Sequence, residues 1–377
     1  MSWFLISFFS IYSLMHLYMY IKVSRAFHFP AFVYFTLALF MVLMIIAPVV
    51  VRMSEKAGYE TWALISAYTG YIWMAFIFLF FILHLFFDII SLFIHLAGLI
   101  LQKDFSYMSS AHRVYLFIVF AVCTCVVAYG YYEAGNIKAE TVTIKSGKIP
   151  KEIGRIRLAQ ISDVHAGIIV DEKRMKKITD IIKSHQPDIL VSTGDLVDRR
   201  LNSSNNKSFY LEDIRPRFGK FAVLGNHEFY AGIKDAIRFT EKQGFKILRG
   251  EAVDVQGIII IAGIDDPAGI PFDYVEVSER GLLSALPGDR FIVLLKHQPY
   301  IDESAKPYLD LQLSGHTHGG QIYPFRYITR MFYPYPSGLK ALSGGRYLYV
   351  SRGTGTWGPP VRFLAPPEVT IIDIVAE

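Results

Sequence analysis

The sequence predicts an α/β or mixed α+β domain behind an N-terminal transmembrane helical region. Three observations carry that prediction. The first is how charge is placed: residues 1–136 hold 6 Lys/Arg and 5 Asp/Glu, whereas the other 241 residues hold 60 charges, about a quarter of their length. The second is a series of long uncharged apolar runs confined to the first part. The third is an alternation of strand-like and helix-like segments in the second part. Hydrophobic residues reach 53% and mean hydropathy +0.34, so a disordered chain, a collagen-like fibre and a small disulfide-stapled domain are excluded. Net charge is +5 with no long Lys/Arg run, which gives nucleic-acid binding no support. The two cysteines, Cys123 and Cys125, lie in an apolar run and read as packing; the second part has no thiol for a disulfide, a zinc finger or a nucleophile.

A bilayer span needs about 20 mostly apolar residues. Four stretches qualify, at about residues 3–20, 31–51, 62–87 and 114–132. The first lacks a basic leader and a small-residue cleavage site, so it reads as an uncleaved span. The third stretch runs on: from Trp62 to Leu101 the one charge is Asp88. His84, Asp88, Ser91 and His95 fall at helical spacing and form a polar stripe, which Gly98 and Gln102 extend. The stripe has two readings: an interfacial helix over about 84–101 with its polar side to water, or a fifth span whose stripe faces the interior of the bundle. The interfacial helix is the expectation adopted. With four spans, Arg52, Lys56, Lys138, Lys145 and Lys148 lie on one side of the membrane and Lys22, Arg25, Lys103 and Arg113 on the other. That balance favours a multi-pass membrane protein with its globular domain in the cytoplasm.

Residues 137–152 read as a linker and leading strand, with alternation at Thr141–Lys145 and a turn at Gly147–Pro150. The globular domain then runs over 153–377. Ile156–Ile161 is an apolar strand. Asp171 caps a helix whose Met175, Ile178, Ile181 and Ile182 share one face, and Gln186-Pro187 ends it. Asp188–Ser192, Phe221–Leu224, Ile258–Ala262, Phe291–Leu295 and Leu309–Leu313 read as strands, with a helix at Gly232–Gln243 closed by Gly244. Tyr347–Ser351 and Val369–Val375 are further β-structure.

Five of these strands end in chemistry-bearing turns: Ser162-Asp163-Val164-His165; Thr193-Gly194-Asp195 with Asp198; Gly225-Asn226-His227-Glu228; Lys296-His297; and Gly315-His316-Thr317-His318-Gly319-Gly320. In layered α/β folds, sites form beyond the carboxyl ends of strands. Imidazole, carboxylate and amide oxygen without thiolate suit divalent Mn, Fe, Co or Zn. Alternate residues of an extended segment point the same way, so Asp163 and His165 can reach one ion, as can His316 and His318. A single carboxylate, Asp195, can bridge two ions about 3.5–4 Å apart. Asp198 reads as a turn-stabilising carboxylate. Glu228 reads as a residue that orients His227 or caps the next helix.

Taken in order, D-x-H, G-D-x-x-D, G-N-H-E, a later single His and G-H-T-H resemble the calcineurin-like metallophosphoesterase family, over about residues 153–377. Gly315–Gln321, Ser351–Trp357 and Pro366–Thr370 resemble its membrane-anchored bacterial subgroup. The resemblance implies a four-layered α/β/β/α sandwich. It implies one metal on Asp163, His165, Asp195 and His318, and a second on Asp195, Asn226, His297 and His316, with manganese the expected ion. His227 would be the acid that protonates the leaving oxygen or steadies the phosphoryl group. Phosphoester hydrolysis would then proceed by attack of a metal-bridging hydroxide.

The substrate implied is a phosphorylated small molecule or lipid, since the spans keep the site among membrane lipids. Relatives with such an architecture include hydrolases of UDP-diacylglucosamine. Pro324–Arg346 reads as an aromatic, basic loop with Arg326, Arg330, Tyr333 and Tyr335, beside the last metal motif. The other reading is a membrane sensor or transport component with a regulatory phosphoesterase domain, resting on the His84–His95 stripe.

Overall fold

The computed structural model describes residues 3–103, 112–198 and 210–377. The chain divides into two compact units, one formed mainly by residues 1–131 and the other mainly by 132–377.

The first unit contains helices α1 (Trp3–Ala26), α2 (Ala31–Lys56) and α3 (Glu60–Leu101), followed by α4 (His112–Ala134). Among the described residues, α2, α3 and Arg113–Ala134 of α4 are long and apolar enough to cross a membrane. The α2 and α3 helices meet at small side chains: a Cβ on Gly70 would fall 2.6 Å from that of Ala47, so glycine is what permits the approach. The expected span at 62–87 and the expected helix at 84–101 are one unbroken helix of 42 residues, with Gln102 as its left-handed C-cap. At 1.5 Å per residue, α3 is about 63 Å long, roughly twice a hydrocarbon core. The first half of its polar stripe turns toward α1. His84 is buried, Lys22 Nζ and Tyr18 Oη each lie 2.6 Å from the Asp88 carboxylate, and His84 Nδ1 lies 3.6 Å from it. Elsewhere along the same pair of helices, Trp73 Nε1 donates to His16 Nε2 at 2.9 Å.

The second unit is built on two six-stranded sheets. One has the order β1-β12-β2-β3-β4-β5 and the other β10-β11-β9-β8-β7-β6. In chain order the strands of the first are β1 (Lys138–Ser146), β2 (Arg155–Ile161), β3 (Ile189–Ser192), β4 (Lys220–Ala222), β5 (Lys246–Ile247) and β12 (Glu368–Ala376). Those of the second are β6 (Glu251–Val255), β7 (Ile259–Gly263), β8 (Phe291–Leu295), β9 (Leu311–Ser314), β10 (Gly338–Leu342) and β11 (Arg346–Val350). The period of two sorts side chains between layers. Ile156 and Leu158 of β2 meet Ile259, Ile261, Val293 and Leu311 in the core between the sheets. Ala159 and Ile161 point the other way, onto Met175, Ile178 and Ile182 of helix α5 (Glu172–His185). On the far side, Ile260, Ile292 and Leu294 pack with Leu283 of α8 (Glu279–Ser284). The order is therefore helix, sheet, sheet, helix, the four layers expected.

Asp171 caps α5 as anticipated, its carboxylate accepting from Arg174 N at 3.0 Å. Helix α7 (Ile233–Lys242) also forms where expected and stops before Gly244, whose φ is +84°. Elements without a sequence expectation are short: β5, β6, β10, α6 (Asn226–Ala231), α8 and α9 (Phe325–Phe332). The Pro324–Arg346 segment, expected as a loop, contains α9 and β10. Helix α9 is only eight residues long, too short a window for its period to stand out in the sequence.

Candidate metal centre

Strands β2, β3, β4, β8 and β9 are neighbours within their sheets, and all the candidate ligands follow their carboxyl ends. Parallel pairing of β2, β3 and β4 brings the first three turns side by side, and parallel pairing of β8 with β9 does the same for the last two.

Three groups of ligand-type side chains converge there, two that match the expected sets and a third of His165, Asp195 and His227. In the first, Asp163, His165 and His318 are all buried; His165 Nε2 lies 3.1 Å from His318 Nε2, and His318 Nε2 lies 3.5 Å from Asp163 Oδ1. In the second, His297 Nε2 lies 3.1 Å from Asn226 Oδ1, 3.2 Å from Asp195 Oδ2 and 3.2 Å from His316 Nδ1. His316 Nδ1 is also 3.1 Å from Asn226 Oδ1. Asp195 joins the groups, with Oδ2 3.8 Å from His165 Nε2. All seven candidates are thus brought together, with Asp195 Oδ2 near both His165 and His297.

The donor set fits divalent cations. His297 Nδ1 lies 2.8 Å from the Thr193 carbonyl and donates to it, which leaves the Nε2 lone pair facing the cluster. Whenever these imidazoles are neutral, they point their lone pairs at one another together with an amide oxygen and carboxylates. His165 Nδ1 lies 3.5 Å from Asp198 Oδ1, and its Nε2 is the nitrogen turned toward His318 and Asp195. Convergent buried acceptors need a cation or protons between them.

The backbone is held in an unusual state to achieve this. Asp163, His165, Asp195, His316 and His318 have φ of 50°, 51°, 52°, 70° and 50°, the left-handed region. Each such residue costs about 1–3 kcal/mol unless its surroundings enforce it, although Asp and His tolerate it better than most. Glycines supply the space: a Cβ on Gly315 would fall 1.9 Å from Ser162 Oγ and 2.3 Å from Asp163 Oδ2, and one on Gly225 would fall 2.3 Å from Asp195 Oδ1.

His227 stands beside the cluster. Its backbone N–H donates to Asp195 Oδ1 at 2.8 Å, and its Nδ1 lies 3.0 Å from Asp198 Oδ1. Burial, the largest influence, pulls the imidazole down; the carboxylates of Asp195 and then Asp198 outweigh it and push it up to about 9. Asp198, expected to stabilise a turn, is therefore also the carboxylate that orients His227. Glu228 does not touch the cluster. It is buried and accepts from the backbone N–H groups of Gly225 (2.8 Å), Asp195 (2.9 Å) and Val197 (3.1 Å), so it caps α6 and ties the β3 turn to the β4 turn.

Arg362 is a supporting residue the sequence reading missed. It is fully buried, its Nη1 donates to the carbonyls of His318 (2.9 Å) and Arg352 (2.6 Å), and its Nη2 lies 3.1 Å from His318 Nδ1. A lone Arg in the apolar run Pro359-Pro360-Val361-Arg362-Phe363-Leu364 was the available signal. Tyr333, from the aromatic segment beside the last metal motif, has its ring 5.2 Å from that of His316.

The family profile described as "Calcineurin-like phosphoesterase" matches residues 156–320, which include all seven candidates and His227. An uncharacterized metallophosphoesterase of Aquifex aeolicus is 41% identical over 66% of this chain and 95% of its own length. The chain belongs to the calcineurin-like phosphoesterase family. An uncharacterized metallophosphoesterase of Bacillus subtilis is 32% identical over 65% of this chain and 87% of its own. A transmembrane protein with metallophosphoesterase domain from Danio rerio is 30% identical over 67% and 61% of the two chains. The calcineurin-like phosphoesterase domain is thus a metal-dependent hydrolase of phosphoric esters, joined here to helices of membrane-spanning length.

The close approach at Gly315 yields a test. Gly315→Ala should leave the domain folded but displace Ser162 and Asp163, lowering bound metal measured by elemental analysis. Full metal content in that variant would mean that the turn tolerates a side chain and does not set the position of Asp163.

Proposed function

We propose that the chain is a multi-pass, membrane-anchored phosphoesterase that uses two divalent cations to hydrolyse a phosphodiester or pyrophosphate of a lipid-linked or nucleotide-linked substrate. The observation that carries this reading is the pair of ligand groups meeting at Asp195. Asp163, His165, Asp195 and His318 would hold one cation, and Asp195, Asn226, His297 and His316 the other. When bound, the cations supply a nucleophile at neutral pH by lowering the pKa of a water and neutralise charge on the phosphoryl oxygens. The N/O donor set suits Mn, Fe, Co or Zn, and Mn is the ion the family resemblance leads us to expect.

The chain's own residues do the remaining work. His227, held protonated by its neighbouring carboxylates, donates a proton to the leaving oxygen. Asp198 fixes the ring by its contact at Nδ1, so the proton delivered is the one on Nε2. Asn226 and His316 keep the second ligand group in register. The membrane-length helices favour an amphiphilic substrate, and no residue of the site singles out UDP-diacylglucosamine within that class. The second reading, a sensor or transport component, is favoured by the inward-facing His84 and Asp88 beside Tyr18 and Lys22.

Chelation should abolish hydrolysis and a divalent ion should restore it. Asp195→Ala should be the most damaging single ligand change, because it removes a contact to both groups; two ions per chain and normal turnover in that variant would rule out the shared-ligand assignment.

His227→Ala should keep both metals and lose roughly 10²–10⁴ in rate, the usual scale for general acid–base assistance. The loss should shrink on nitrophenyl esters, whose leaving group needs less protonation. Equal losses on good and poor leaving groups would assign His227 to phosphate positioning instead.

With four spans and a cytoplasmic domain, an impermeant thiol reagent applied to intact cells should label a cysteine placed at Lys103 and spare one at Lys145, with Cys123 and Cys125 replaced. Labelling at 145 alone would put the domain outside the membrane. Labelling at both would reject the four-span count.

A further inference from the structure

Helix α9 has a composition and exposure that phosphoester chemistry does not require. It follows the metal-ligand loop Gly315–Gln321 closely: a Cβ on Gly320 would fall 2.4 Å from the Arg326 Cα, and Thr317 Oγ1 donates to the Pro336 carbonyl at 2.6 Å just beyond the helix. Of its eight residues only Thr329 is buried. Its large apolar side chains are open to solvent, with Met331 at 80%, Phe332 at 63%, Tyr327 at 59% and Ile328 at 44% exposure. A soluble domain rarely leaves so much contiguous apolar surface uncovered unless something binds it.

Charge identifies the partner. From Leu311 to Pro367 the sequence contains six cations (Arg326, Arg330, Lys340, Arg346, Arg352, Arg362) and no Asp or Glu. Arg362 is buried and Arg352 is engaged with Glu140 and Glu368, but Arg326 and Arg330 stand exposed on α9 itself and Lys340 on β10. Exposed apolar side chains and cations in a stretch of sequence without a carboxylate match the surface of an anionic bilayer: apolar groups enter the acyl boundary and cations near the surface are drawn to its headgroups. The domain is also covalently tied to membrane-length helices, with α4 ending at Ala134 and β1 beginning at Lys138. A weak surface contact would therefore be made at high effective concentration.

We propose that α9 is an interfacial helix that seats the phosphoesterase domain on an anionic lipid surface through Ile328, Met331 and Phe332, with Arg326, Arg330 and Lys340 on the headgroups. The metal-ligand loop under α9 is then held at headgroup level, so the substrates favoured are phosphorylated amphiphiles in the bilayer. That last consequence rests on the two-cation reading above; the docking does not.

The test uses the full chain in proteoliposomes, with Cys123 and Cys125 replaced by Ala and an environment-sensitive fluorophore on Met331→Cys. A second preparation carries the fluorophore on Lys176→Cys, an exposed position on α5. In vesicles of brominated phosphatidylglycerol and phosphatidylethanolamine, the label at 331 should lose at least half of its emission and the label at 176 almost none. The loss at 331 should be much smaller in brominated phosphatidylcholine alone. A label at 331 that behaves like the one at 176 overturns the proposal. So does equal quenching in neutral vesicles, which would remove the role of charge. A blue shift that grows with protein density and is insensitive to bromine would assign the helix to a second copy of the chain instead.

A turnover measurement complements this one. The variant I328S/M331S/F332S should hydrolyse a soluble nitrophenyl ester as the parent does and lose at least tenfold on a phosphate ester embedded in the bilayer. Equal activity on both would overturn the link between docking and substrate. Quenching is read without turnover, so absence of hydrolysis in every preparation would count against the two-cation reading and leave the docking result standing.

Discussion

The carboxylate of Asp195 is the constraint on which the rest of the globular unit depends. It is fully buried, which raises its pKa, yet His297, then His227 and His165, hold it ionised well below the usual carboxylate range. An ionised buried acid is tolerated only with compensating charge and hydrogen bonds around it. Here that compensation comes from three separate turns, which supply His165, His227 and His297 around the β3 turn that carries Asp195. The sheet topology is what makes those turns meet. Parallel pairing of β2, β3 and β4, and of β8 and β9, stacks the carboxyl ends on one edge of each sheet, and the two sheets face each other across one core.

Holding the turns together needs a second, quieter set of contacts. Glu228 is buried and accepts three backbone N–H groups from the β3 and β4 turns. Burial, then the nearby Asp195, pushes its carboxyl up to about 7, so the pair of acids shares a region that favours one negative charge over two. Arg362 performs a similar service for the β9 turn by gathering the carbonyls of His318, Arg352 and Ala365. Burial pulls this guanidinium down to about 9, which still leaves it charged at neutral pH. Left-handed φ at five of the seven candidate ligands follows from the same economy of space: turns that tight place successive side chains on one point, and the glycines beside them remove the clashes.

The parts of this arrangement that were legible in the sequence were the local ones. Strands such as Ile156–Ile161 and Phe291–Leu295 are short apolar runs followed at once by Asp or His, and the layer order follows once their alternate residues are sorted. The candidate ligands were legible because each lies just beyond a strand in a compact motif, three of the five motifs carrying glycine. What was not legible depends on partners far apart in the chain. Asp198 looked like a turn residue until His227, 29 positions later, came to lie against it. Arg362 had no visible partner because it meets His318 some 44 positions before it. Helix α9 was hidden for another reason: its eight residues make about two turns, too short a window for a helical period to stand out.

The helical unit shows the same rule in an apolar setting. The His84–Asp88 stripe was visible as a spacing on α3, and its direction was not, because direction is set by what faces it. Tyr18 and Lys22 are themselves four residues apart on α1, so two helix faces each present a pair with matching rise. The ion pair and the hydroxyl bond satisfy the Asp88 carboxylate from outside its own helix, and Trp73 satisfies His16 in the reverse direction, from α3 to α1. Polar groups that would be expensive to leave alone among apolar side chains thereby fix the register of two helices whose remaining contacts are largely aromatic and therefore tolerant of sliding. An acid in this position is first of all a register pin for α1 against α3, and any further role for the stripe has to be compatible with keeping that pair closed.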